Sequence, residues 1–223
     1  LYDGGHALVV TYYVPPAVAG TPVTMRNLLK NFDPKSYTVV AQQAEGESRD
    51  LNDGEDVRRY VLKPKLPGRV RARIDDIQLP VVVARLARLA REKRAKVIVG
   101  VYPDYHMLAA SRYAARLLGL PWVTYLHDTI AEGLAATPLA RRARRLQAAV
   151  FREADQIFVM SDGMRRLFAR KYARDCEALE HTYPERPASV VSDAAEERAF
   201  WGGSVYAIND RSVARVSAAL GRV

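Results

Sequence analysis

The sequence predicts an α/β fold, a Rossmann-like open parallel sheet with helices on both faces, and three observations carry that prediction. Short apolar runs alternate along the chain with longer segments of helical period, the pattern of crossover units on a parallel sheet. Several of the short runs are apolar throughout, as strands covered on both faces are. The first run passes through a Pro/Gly loop straight into an amphipathic helix, in ALVVTYYVPPAVAGTPVTMRNLLKNF, residues 7–32.

Taken in order, strands are expected at 7–13, 37–42 (YTVVAQ), 57–62 (VRRYVL), 96–101 (KVIVGV), 121–126 (PWVTYL), 155–160 (DQIFVM) and 176–180. Apolar spacings of three and four predict helices over 21–32, 74–93, 104–119, 137–153 and 162–173. The segment 43–56, QAEGESRDLNDGED, is acidic and glycine-containing and reads as a surface loop. Past Tyr183 the periodicity fades, so 184–198 is expected to be a linker after a first domain over 1–183. A fresh strand, FWGGSVYAI (200–208), and a helix from near Asp210 then read as the opening of a second Rossmann-like domain over 199–223. Those 25 or so residues are too few for a core of their own, so this second domain is expected to be incomplete.

Composition narrows the function classes. Of 223 residues, 49% are apolar and 26% charged, which is globular and argues against general disorder. With 34 basic against 25 acidic residues the chain carries +9 and favours anionic partners. The single cysteine, Cys176, excludes an internal disulfide and is compatible with a reducing, cytoplasmic setting. No apolar run reaches the roughly 18 residues of a membrane span. Four histidines and one cysteine show no ligand spacing, so no metal is expected.

The positive charge is clustered: Arg69, Arg71 and Arg73; Arg141, Arg142, Arg144 and Arg145; Arg165, Arg166, Arg170, Lys171 and Arg174. A helix such as PLARRARRLQAAVF can lie on an anionic bilayer at the inner face of the membrane, or present an ordinary solvated face. Nucleic acid is disfavoured, because no binding motif or aromatic-interleaved strand accompanies the charge.

Polar residues gather where the expected strands end, the place where open α/β sheets bind ligands. The first group is the Pro15–Gly20 loop, with Ala19 and Gly20, and Arg26 on the helix behind it. Tyr102, Asp104 and His106 follow the fourth strand, His127 and Asp128 the fifth, and Ser161 with Asp162 the sixth. Backbone N–H groups at a helix start can receive an anion or a polar sugar, but the loop has one glycine where the dinucleotide fingerprint G-x-G-x-x-G wants three. His127 beside a carboxylate suits a hydrogen-bond donor or general base near neutral pH; equally, Asp128 caps the next segment and His127 bonds a neighbouring loop. Ser161 or Asp162 reads as an N-cap. The segment VMSDGM is not a nucleophile elbow.

The chain resembles the N-terminal half of a GT-B-fold retaining glycosyltransferase of family four, on VVTYYVPPAVAGTPVTMRNLLKNF, a strand ending in LHD, ADQIFVMSDGMRRLFARKYARD and FWGGSVYAINDRSVARVSAAL. The resemblance implies two Rossmann-like domains around a cleft, the first for the acceptor and the second for a nucleotide sugar. It places Ala19-Gly20 at a glycine pair near the donor phosphate, and alanine there restricts a backbone angle that glycine leaves free. It places Arg26 at a basic position of the same helix and His127 beside the reacting sugar. Ser161 falls at the serine of a capping motif in which Asp162 replaces a glutamate. Gly202 and Gly203 fall at the glycine turn of the donor domain, with Arg211 as a basic partner beyond. The expected substrates are a nucleotide sugar and a glycan or lipid-linked acceptor, with no cofactor. The family's E-x7-E pair belongs deep in the donor domain; Glu47/Glu55 and Glu177/Glu185 share the spacing but not the place. This implies an acceptor half that does not turn over by itself. A non-catalytic carbohydrate- or nucleotide-binding module, the acceptor subunit of a split enzyme, and a nucleotide-sugar epimerase or dehydrogenase remain alternatives.

Overall fold

A computed structural model describes residues 5–12, 20–42, 57–60 and 68–180, together with Arg215 and Ala218. The chain divides into two compact units, Leu1–Pro184 and Glu185–Val223. In the second, Arg215 and Ala218 are helical and exposed. The loop expected at Pro15–Gly20, except Gly20 itself, the loop at 43–56, the linker at 184–198 and the strand at 200–208 lie outside the described residues.

Among the described residues seven strands form one sheet: β1 (His6–Thr11), β2 (Tyr37–Gln42), β3 (Val57–Tyr60), β4 (Ala95–Tyr102), β5 (Trp122–Leu126), β6 (Gln156–Val159) and β7 (Glu177–Ala178). All neighbours are parallel, in the order β3-β2-β1-β4-β5-β6-β7. The chain steps outward from β1 to β3, returns across β1 to β4, and steps outward the other way to β7. Adjacent β1 and β4 are therefore the point at which the winding reverses.

Parity along the strands sorts the core into two layers. Leu8 and Val10 of β1, Ile98 of β4, Leu126 of β5 and Ile157 of β6 face one way, onto Leu86, Met107, Leu108, Val150 and Phe168. Val9, Val39, Ala41, Val101 and Tyr125 face the other way, onto Met25 and Leu29. The first layer is covered by α2 (Gly68–Glu92), α3 (Tyr105–Leu118), α5 (Ala140–Glu153) and α6 (Asp162–Tyr172), and the second by α1 (Gly20–Leu29). Each fully buried Leu, Ile or Phe contributes about 1.5–3 kcal/mol, a sizeable share of the 5–15 kcal/mol typical of a domain.

Local chemistry sets the helix ends. Asp104 sits in extended conformation before α3 and accepts the Met107 N–H at 2.7 Å, while Gly119, at φ 63°, closes that helix by donating to Ala115 and Arg116. Ser161 does the same for α6, accepting the Met164 N–H at 3.2 Å. Helix α2 starts at Gly68, six residues before the expected 74, and it runs through Pro80. Its first turns hold Arg69, Arg71 and Arg73, which blur the apolar period there. The four-residue α4 (Ile130–Gly133) is an addition to the expected elements; one turn is too short for a periodic signal. The 3-10 turn Pro34–Ser36, capped by Asp33, is another.

Candidate functional site

The C-terminal ends of β1, β4 and β5 converge at the winding reversal, and four of the residues singled out in the sequence meet there. Tyr102 ends β4, is 4% exposed, and accepts the backbone N–H of His127 through its carbonyl at 3.4 Å. Its phenol pKa is raised, first by burial and then by the carboxylates of Asp128 and Asp104, so both carboxylates lie within electrostatic reach of the phenol. His127 follows β5 directly and is buried, its ring set edge-on against Tyr125 with centroids 4.2 Å apart. Burial pushes the Tyr125 phenol up to about 12, and its hydroxyl donates to the Leu179 carbonyl at 2.7 Å. That bond fixes the surface on which the imidazole rests.

The two carboxylates play different parts. Asp104 is committed to the start of α3. Asp128 is exposed and accepts the N–H of Thr129 at 2.7 Å, a local turn that leaves its outer face toward solvent. Thr129 occupies the cap position of α4 without making a side-chain cap bond. His106 is the second residue of α3 and stands edge-on to Tyr105.

The remaining candidates are placed around this centre. Gly20 is the first residue of α1, exposed, and a Cβ built there would have no atom within 4 Å, so the helix start faces open space. Arg26 is exposed in the last turn of α1, about 9 Å along the helix axis from Gly20 at 1.5 Å per residue. Ser161 caps α6 at the end of β6. Asp162 is bound by Arg165 at 2.6 Å and by Arg166, which together hold its carboxyl below the usual range. Ala19, Gly202, Gly203 and Arg211 lie outside the described residues.

Three contributors were missed by reading the sequence. The Thr11 side chain, at the end of β1, is fully buried, and its hydroxyl has no hydrogen-bond partner among the described residues. Gln147, also fully buried, accepts the Ala131 N–H at 2.8 Å and donates to the Tyr172 hydroxyl at 2.9 Å, tying α4 to α5 and α6. Glu132 of α4 pairs with Lys171 of α6. No local signal marks Gln147 and Glu132, because each acts through partners distant in sequence, and Thr11 reads as an ordinary strand residue.

A depression of about 430 Å³ opens instead at the other end of the sheet, between the C-termini of α5 and α6. Both guanidinium groups on it are committed, Arg152 to Glu153 and Arg174 to the carbonyls of Phe151 and Ala154. Among the described residues no group of three His, Cys, Asp or Glu could hold a metal ion, and no helix is long and apolar enough to cross a membrane.

A doubly wound parallel sheet with polar residues gathered at its strand ends defines a domain of the Rossmann-like, GT-B type. Residues 19–178 match the family model described as "Glycosyl transferase 4-like domain", and the chain belongs to that family. Among solved structures it is similar to HepE from Anabaena in complex with UDP, at TM-score 0.58 and 16% identity, over 80% of this chain and 44% of that one. It is similar also to a sucrose-phosphate synthase from Thermosynechococcus elongatus, at TM-score 0.55 and 14% identity, over 78% and 47%. A UDP-N-acetylglucosamine 2-epimerase structure from Listeria monocytogenes follows at TM-score 0.51 and 10% identity, over 75% and 42%. At such identities the likeness concerns the fold. The chain spans less than half the length of each of these structures. No curated protein matches it.

Proposed function

We propose that residues 1–183 are the acceptor-binding domain of a retaining glycosyltransferase that moves a sugar from a nucleotide sugar to a glycan or lipid-linked acceptor. The observation that carries the proposal is the gathering of Tyr102, Asp104, His127 and Asp128 at the strand ends of a domain whose family match covers residues 19–178. On this reading the His127 imidazole, steadied on Tyr125, hydrogen-bonds a hydroxyl at the reacting sugar. Asp128 and the open N-terminus of α1 at Gly20, with Ala19 before it, contribute polar contacts at the rim. Ser161 lends the start of α6, and Arg26 adds positive charge on the flank. Residues 184–198 form the linker, and 199–223 open the donor-side domain, with Gly202, Gly203 and Arg211 toward the diphosphate.

Catalysis in such a cleft rests on orienting the acceptor hydroxyl and stabilising the leaving diphosphate by fixed dipoles and charges, with no metal or cofactor in the scheme. The buried, solitary Cys176 fits a reducing cytoplasmic compartment. HepE, whose structures hold UDP and UDP-glucose, supports a nucleotide-sugar donor by analogy of fold.

Thermal unfolding with candidate acceptor glycans, nucleotides and nucleotide sugars tests the reading. A ligand at a hundred times its dissociation constant adds about 2.7 kcal/mol to stability. A shift with an acceptor glycan that disappears in His127→Ala supports an acceptor site. Shifts with nucleotides alone place the nucleotide site in this chain and reject the assignment.

A further inference from the structure

We infer that the N-terminal face of α5, with the loop 134–139 leading into it, is a docking surface for an anionic lipid bilayer. The inference is independent of the glycosyl-transfer reading. Between Glu132 and Glu153 the chain contains five arginines and no acidic residue. Arg141, Arg142, Arg144 and Arg145 are all exposed, and the opposite side of the helix is buried through Ala143, Leu146, Gln147 and Val150. The four guanidinium groups therefore share one outward face. Arg141, Arg144 and Arg145 form no ion pair among the described residues. Glu132, the last acid before α5 in sequence, pairs with Lys171, and Asp162 pairs with Arg165 and Arg166.

This arrangement works against the fold. A helix N-terminus carries partial positive charge and favours acids, yet the first turn of α5 has none, and its cap residue Leu139 makes no side-chain cap bond. Pairs such as Arg141/Arg145, four residues apart, repel one another. The three other helices with defined caps at this end of the sheet obey the rule, with Asp104 before α3, Glu132 in α4 and Asp162 in the first turn of α6. A plane of lipid phosphates would relieve both conflicts at once.

The surroundings favour a bilayer over nucleic acid. The loop presents exposed Ala135, Ala136 and Pro138 beside half-buried Leu139, small and apolar groups that suit a headgroup region, and carries no aromatic side chain on which bases could stack. Leu167 on the adjacent α6 is 37% exposed. Helix α5 begins at the same end of the sheet as His127. Docking would therefore bring that crevice to the membrane plane.

The test is co-sedimentation of the full chain with vesicles of phosphatidylcholine, with and without phosphatidylglycerol. The variants are Arg141→Gln/Arg142→Gln and Arg144→Gln/Arg145→Gln. A charge-matched control, Arg91→Gln/Arg94→Gln, lies at the opposite end of the sheet. Expected is binding to the anionic vesicles only, weakened by salt, and lowered about fivefold for each α5 arginine removed, at about 1 kcal/mol per residue near the surface. The control variant should bind as the parent does, and circular dichroism should show both α5 variants folded. No binding by the parent, equal binding to neutral vesicles, or an equal loss in the control overturns the inference. So does displacement of the chain from vesicles by equimolar single-stranded DNA, which would assign the face to nucleic acid.

Discussion

Gly100→Ala tests how closely α3 lies on the sheet beneath the site. Gly100 is in the middle of β4, in register with Val10 and Thr124, and a Cβ there would stand 2.3 Å from Ser111 Oγ, 2.9 Å from Leu108 Cδ1 and 3.2 Å from Ser111 Cβ. The Ser111 hydroxyl cannot simply turn away. It donates to the Leu108 carbonyl at 2.7 Å and accepts the indole N–H of Trp122 at 3.0 Å. Overpacking of this kind costs about 1–3 kcal/mol, and disturbing a hydrogen bond adds about 0.5–1.5. A loss of about 2–4 kcal/mol is expected, a large fraction of the 5–15 typical of a domain. Urea unfolding should show a lower midpoint with an unchanged slope. Because Ser111 is the obstacle, Gly100→Ala/Ser111→Ala should lose less than the sum of the single variants, by about 1 kcal/mol or more. A Gly100→Ala protein within 0.5 kcal/mol of the parent, or an additive cycle, refutes the reasoning.

Other predictions concern the supports of the same layer. Arg112 of α3 grips Glu153 of α5 through two bonds, at 2.7 and 2.8 Å, with side chains 13% and 23% exposed. The Arg112 guanidinium, opposed by burial and helped by Arg152, holds the Glu153 carboxyl at about 2, below its ordinary 4.5. A depressed folded pKa gives stability that is complete above about 4.5 and lost as pH falls toward 2, and acid titration of unfolding should show that loss shrinking in Arg112→Met. At neutral pH the same variant should lose about 1–2 kcal/mol, between the values of exposed and buried pairs; an unchanged midpoint would remove the pair from the account. Ser161→Ala should cost about 1 kcal/mol through the lost cap of α6, read by chemical denaturation, with Ser161→Asp restoring most of it.

Most of the sheet was legible because its strands are short apolar runs with few alternatives. Each observed strand falls within two or three residues of its expected bounds. The boundaries that moved show what local reading lacks. The expected start of α2 followed an apolar period that its arginine-rich first turns do not carry, and α4 has no period at all. The site was legible in part for a similar reason. Tyr102, Asp104, His127 and Asp128 could be found because strand ends in such sheets are ligand positions, so sequence location alone gathers them. Arg26 was expected on the helix behind the first loop, and it stands in the last turn of α1, about 9 Å along the axis from Gly20. Gln147 and Glu132 matter through tertiary partners. Gln147 looks like any polar residue on a basic helix until Ala131 and Tyr172 close on it.

The most direct test of the central claim is a titration of the imidazole resonances by NMR. The chain has only four histidines, at 6, 106, 127 and 181, so each can be followed separately. His6 is an internal reference, bonded to Lys35 and Thr38 at the far end of β1. If the strand-end crevice binds the acceptor, a saturating acceptor glycan should move the His127 signals and leave those of His6 in place. Signals of His127 that respond to a nucleotide and ignore every acceptor would contradict the account.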